Sequence, residues 1–136
     1  MPLTPEEIRE RAFRAIVEFK LRVLKLLLDW RRLAGLVARA VEEVLGEAEV
    51  YVFGSAVEGR LTANSDLDVA VIVPREMVRP PVRGRLLSAI LDRAEELGIP
   101  WWFPLELHLM TKEDMELLAR GGARFVRVRP GEEQQH

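Results

Sequence analysis

The stretch that decides the fold runs from Val50 to Val73 and reads VYVFGSAVEGRLTANSDLDVAVIV. It opens with an apolar run, Val50 to Phe53, that ends in Gly54-Ser55. Ten residues later Asp66-Leu67-Asp68 leads a second apolar run, which Pro74 stops. Both runs have the length and β-branched content of strands. Side chains two apart on a strand share a face, so Asp66 and Asp68 are expected to project together. Paired carboxylates repel unless a cation lies between them or one of them binds a proton. Oxygen donors of this kind suit Mg²⁺ or Mn²⁺. Gly54 has no Cβ, so a ligand can come close to its backbone. Ser55 offers a hydroxyl where a short helix is expected near Ala56–Glu58, and the first N–H groups of a helix favour phosphate. A phosphate cradle beside a metal-binding acid pair implies a metal–nucleotide complex.

Working outward, the N-terminal side is helical. Thr4-Pro5-Glu6-Glu7 is a start signal: Thr4 caps, Pro5 suits the first turn, and Glu7 completes a capping box. Apolar residues then recur at helical spacing from Ile8 to Val44, and Gly46 ends the stretch. A 40-residue helix is uncommon in so small a domain, so two helices joined near Asp29-Trp30 are expected. On the other side, Pro80-Pro81 marks a connection and Val82–Leu97 reads as a helix closed by Gly98. Pro104–Met110 reads as a third strand, Thr111 starts a short helix, and Phe125–Val128 has the pattern of an edge strand. The tail is expected to be disordered. Alternating strands and helices give an α/β (α+β) fold: a small mixed sheet, helices on one face, and a long helical segment in front. The carboxylates are expected on the other face.

The spacing Gly-Ser-x₁₀-Asp-x-Asp resembles the signature of the polymerase-β-type nucleotidyltransferase superfamily, and the short chain is most similar to its minimal nucleotidyltransferase (MNT) branch. The resemblance covers residues 50–73 closely. It implies one nucleotidyltransferase domain over residues 1–130, with N-terminal helices over 1–46, a catalytic core over 47–130 and a tail over 131–136. It implies transfer of a nucleoside monophosphate from Mg²⁺–NTP, with ATP the expected nucleotide, to a hydroxyl, releasing pyrophosphate. It also implies a third acidic residue on a neighbouring strand. Leu105, Leu107 and Leu109 alternate with Glu106 and His108, which puts Glu106 on the carboxylate face as the candidate. The family often has Asp there, so Glu is a mild departure.

The expected catalytic and metal-binding residues are therefore Asp66, Asp68 and Glu106. Gly54, Ser55, Ser65 and Arg60 are the expected phosphate contacts. His108 reads first as a polar residue on a half-exposed strand. Trp101-Trp102-Phe103 reads as a plug at the sheet edge or as a stacking surface for a base.

Composition bounds the rest. At 136 residues there is room for one core. A net charge of −2 gives no sign of a nucleic-acid or membrane partner, although the cations comprise seventeen Arg against three Lys. The absence of Cys excludes disulfide and thiol chemistry. No secretory signal is visible, and a cytoplasmic location is the expectation. Small relatives within the resembled family often act with a HEPN-type protein, and some attach AMP to it, which makes an antitoxin-like partner subunit the alternative reading. A catalytically silent nucleotide-binding scaffold is the second alternative. Leu26, Leu27, Leu28 and Trp30 occupy more than one helical face, which points to an oligomeric contact through the N-terminal helices.

Overall fold

A computed structural model describes residues 1–131, so residues 132–136 of the expected tail lie outside the described residues. The capping box at Thr4 forms. The Thr4 hydroxyl accepts from the Glu7 N–H at 3.2 Å, and the Glu7 carboxylate accepts from the Thr4 N–H. Helix α1 (Pro5–Leu28) starts there. It stops at Asp29, whose φ of −97° and ψ of 29° leave the helical region. Arg32 Nε donates to Asp29 Oδ2 at 2.6 Å, which holds the corner while α2 (Trp30–Leu45) begins at once. The two-helix reading of the N-terminal segment is what the structure has.

Strand β1 (Val50–Phe53) leads into a single 3-10 turn, Gly54–Ala56, and then to β2 (Leu67–Ile72). After β2 come α3 (Arg75–Val78), α4 (Val82–Glu96), β3 (Leu105–Met110), α5 (Lys112–Arg120) and β4 (Val126–Val128). The one-turn helix α3 has no counterpart in the sequence reading; four residues are too few to show a helical period. The strands form one sheet in the order β3-β2-β1-β4. The β1–β2 and β1–β4 pairs are antiparallel and β2–β3 is parallel, so the sheet is mixed. The parallel pair requires a crossover, which α3 and α4 supply.

The two faces of the sheet differ as the alternation implies. Val50, Val52, Leu67, Val69 and Val71 are fully or almost fully buried against Leu33, Val37 and Val41 of α2 and Ile90 of α4. Burying one such side chain contributes about 1.5–3 kcal/mol, which is what holds the sheet to its helices. The opposite face carries Tyr51, Phe53, Asp68, Glu106 and His108. Only the C-terminal end of α1 joins the core, through Val23 and Leu27. Residues 5–22 of that helix are exposed.

Candidate functional site

Register assembles the site. Phe53 on β1 pairs with Asp68 on β2, and Asp68 pairs with Glu106 on β3. Opposed residues on neighbouring strands share a face, so two carboxylates come together next to the end of β1. One step along, His108 pairs with Ala70. The small Ala70 side chain leaves room, and His108 Nε2 lies 3.1 Å from Asp68 Oδ1 and 3.8 Å from Glu106 Oε1. The Phe53 ring meets the His108 ring edge-on at 5.0 Å between centroids and covers it from the β1 side.

Asp68, Glu106 and His108 each offer a ligand atom within 4.8 Å of the others. Two carboxylate oxygens and an imidazole nitrogen at that separation fit a divalent cation. Exposure grades the three: the side chains are 23% exposed for Asp68, 32% for His108 and 55% for Glu106. Asp68 is thus the inner acid and Glu106 the one most open to an incoming substrate. Among the described residues, the ion-pair contacts of these two acids are to His108 alone. Among the described residues no Lys or Arg ion-pairs with either acid.

The Gly-Ser bend lies against this group. Gly54 has φ +80°, and a Cβ built on it would stand 2.6 Å from Asp68 Oδ2. Only glycine fits there, on both counts. The turn is closed by the N–H groups of Val57 and Glu58, which donate to the Gly54 carbonyl at 3.1 Å. The first N–H groups of such a turn have no partner within it. Ser55, half-buried, sits among them.

The remaining sequence candidates are placed as follows. Asp66 precedes β2, is exposed, and is not one of the close group. It stands at the rim of a groove of about 430 Å³ between α1 and the 63–66 segment. Ile16, Phe19, Val23, Trp102 and Pro104 give that groove an apolar lining, and Lys20, Asn64 and Ser65 supply polar groups. The Ser65 hydroxyl accepts from the Thr62 N–H at 2.9 Å, a turn-closing bond. Arg60 pairs with Glu58 on the surface. Trp102 packs edge-on against Phe19 at 5.3 Å, Phe103 is in the core, and Trp101 is exposed. His108, which the sequence reads first as a polar strand residue and second as a group near the substrate or a water beyond the metal ligands, is the member of the close group not named there as a ligand. Part of the signal was present: alternation puts it on the face of Glu106, while the register that sets Ala70 opposite it is seen only in the structure.

A second acid lies at the far end of the same face. Glu49 accepts from the Tyr51 hydroxyl at 2.6 Å, from Lys112 Nζ at 3.5 Å and from Arg127 Nη1 at 3.4 Å. The Tyr51 hydroxyl holds the Glu49 carboxyl below its ordinary value; burial opposes this, and Lys112 and Arg127 reinforce it. The same hydrogen bond, followed by burial, raises the Tyr51 phenol.

A family model described as a nucleotidyltransferase domain matches residues 35–127. The chain belongs to the nucleotidyltransferase domain family. Helix α1 and the first residues of α2 lie outside the matched region. A crystal structure of a protein assigned as a nucleotidyltransferase shares the fold at 23% identity and a TM-score of 0.50, covering 66% of this chain and 90% of that one. Another such protein, from Sulfolobus solfataricus, aligns at 20% identity and a TM-score of 0.38, over 74% of this chain and 78% of that one; the shared fold rests on the first. No curated protein matches the chain. The family makes this a transferase of nucleotidyl groups, as the Gly-Ser and Asp-x-Asp spacing implied. No helix among the described residues is long and apolar enough to cross a membrane.

Proposed function

We propose that this nucleotidyltransferase moves a nucleoside monophosphate from a nucleoside triphosphate, with ATP the nucleotide to test first, to a hydroxyl acceptor. The observation that carries the reading is the convergence of Asp68, Glu106 and His108 beside the Gly54 bend, with two acids and, among the described residues, no Lys or Arg ion-paired to either. A divalent cation, Mg²⁺ or Mn²⁺, held by Asp68 and Glu106, would neutralise the triphosphate and polarise its phosphorus. The Gly54 bend, with the N–H groups of its first residues and the Ser55 hydroxyl, cradles the terminal phosphates. His108 hydrogen-bonds Asp68 and fixes its orientation. Arg60 and Ser65 stand on the segment that leads to Asp66, where the triphosphate passes. The acceptor lies along the groove of Phe19 and Trp102, whose rim carries Asp66.

In the reaction the acceptor oxygen bonds to the α-phosphorus and the bond from that phosphorus to the pyrophosphate oxygen breaks. Glu106, the most open acid, takes the acceptor's proton. The experiment is incubation with α-labelled ATP, Mg²⁺ or Mn²⁺, and cell lysate. Label should appear on an acceptor and pyrophosphate should be released. Calorimetric binding of the metal–ATP complex without label transfer under any condition overturns the reading and leaves a nucleotide-binding scaffold.

A further inference from the structure

Helix α1 carries two apolar stripes, and the fold uses one. Ile16, Phe19 and Val23 turn toward Trp102 and the 63–66 segment. On the other side Phe13, Val17, Leu21 and Leu28 are 69%, 38%, 60% and 67% exposed. That second stripe runs roughly 22 Å along the helix at 1.5 Å per residue. An apolar stripe of this length on a projecting helix marks an interaction surface.

Two features say what covers it. The first is shape. A hollow of about 340 Å³ on α1 is lined by Glu10, Phe13, Arg14 and Val17. Positions i, i+3, i+4 and i+7 form the four-residue hole that receives a side chain from a facing helix. The second is charge. Along the flank of the stripe the order is Glu7, Glu10, Arg14, Glu18, Lys25: acidic toward the N-terminus and basic toward the C-terminus. A second copy of α1 laid antiparallel, with the two-fold axis at Val17, places its Leu21 in the hole between Phe13 and Val17. The same operation sets Glu7 and Glu10 against Lys25 of the second copy and Arg14 against Glu18. A parallel copy would set like charges side by side.

We infer that the Phe13–Leu21 part of the exposed stripe of α1 is the seam of an antiparallel homodimer, closed by reciprocal Leu21 contacts and by the charge pairs on one flank. The contact is isologous, so it ends at two copies. It leaves the acid group free, because that group lies on the open sheet face and the stripe lies on the projecting helix. The inference does not rest on the transfer chemistry.

Sedimentation equilibrium on the full chain tests it. The expected mass is twice 15.6 kDa at micromolar concentrations. Leu21→Glu should raise the dissociation constant about tenfold or more. Leu21 is exposed, so circular dichroism and melting of that variant should stay native-like apart from any loss tied to dissociation. Glu10→Lys should weaken the dimer, and adding Lys25→Glu should restore it. The chain has no Cys, so Val17→Cys introduces a lone thiol at the axis, and mild oxidation should link two copies quantitatively. A wild-type monomer at all concentrations overturns the inference. So does a dimer that Val17→Cys fails to cross-link, or one that the Glu10/Lys25 exchange fails to restore. Capture of a different protein on the stripe by a monomeric chain also overturns it.

Discussion

Two acids on one sheet face, Glu49 and Asp68, have opposite surroundings. Glu49 is met by a phenol, a lysine and an arginine, and its charge is fully answered within the fold. Asp68 is met by another carboxylate and an imidazole, and its charge is not. The same strands, β1 and β2, support both. The difference is one of surroundings: the compensated acid ties elements together, and the uncompensated one is the acid to which the proposed function assigns a cation. The fold gains stability at the Glu49 end and forgoes it at the Asp68 end.

Removing each charge without changing its shape separates the two acids most directly. If Asp68 holds the cation proposed above, Asp68→Asn should lower nucleotidyl transfer on the order of a thousandfold or more. Its melting temperature should hold or rise, since two close carboxylates no longer repel. Glu49→Gln should do the reverse: activity within about twofold, and stability lower by about 1 kcal/mol, or a few degrees in the melt. The measurements are labelled transfer and thermal unfolding of both variants. Equal loss of activity in the two, or a destabilised Asp68→Asn, would remove the distinction.

The Gly54 bend sharpens the same contrast, because it presses on Asp68 alone. Gly54 and Gly59 both have positive φ, +80° and +70°, but a Cβ on Gly59 meets nothing within 4 Å while one on Gly54 meets Asp68 Oδ2 at 2.6 Å. Gly59→Ala therefore pays only for backbone strain, about 1 kcal/mol. Gly54→Ala adds displacement of the inner acid, for a total of about 1–3 kcal/mol and a large fall in transfer rate. A Gly54→Ala protein as active as Gly59→Ala would show that the bend does not position Asp68.

Much of this was legible from residue order, and the exceptions have physical causes. The strand ends at Phe53, Leu67 and Met110, the α1–α2 break at Asp29 and the face of Glu106 all follow from period-2 and period-3.6 patterns and cap chemistry. Periodicity reads a side chain's face but not its reach. Asp66 and His108 both belong to the expected face, yet His108 joins Asp68 because β3 is parallel to β2 and Ala70 makes space, whereas Asp66 lies before β2 begins. Strand order is a tertiary fact that no local pattern encodes. The same limit applies to α1. Its apolar spacing announced a face that needs cover, but not that Phe13, Val17 and Leu21 would find none within their own fold while Phe19 meets Trp102.

Acidity gives the finest probe of the Glu49 end. In the folded chain the Tyr51 hydroxyl holds the Glu49 carboxyl below its ordinary 4.5, so the unfolded chain takes up the proton first. That contribution is complete above about pH 4.5 and disappears as pH falls through the lower folded value. The Tyr51 phenol is shifted the other way, above its ordinary 10.0, chiefly by the bond to Glu49. Its contribution is complete below about pH 10 and is lost as pH rises through the higher folded value. Glu49→Gln removes the charge behind both shifts. The gap in melting temperature between wild type and Glu49→Gln should therefore be widest and level across neutral pH and close at both the acid and alkaline ends. A gap that persists unchanged into acid would mean that the carboxylate's charge is not what Tyr51, Lys112 and Arg127 hold, and the contrast with Asp68 would then rest on packing alone.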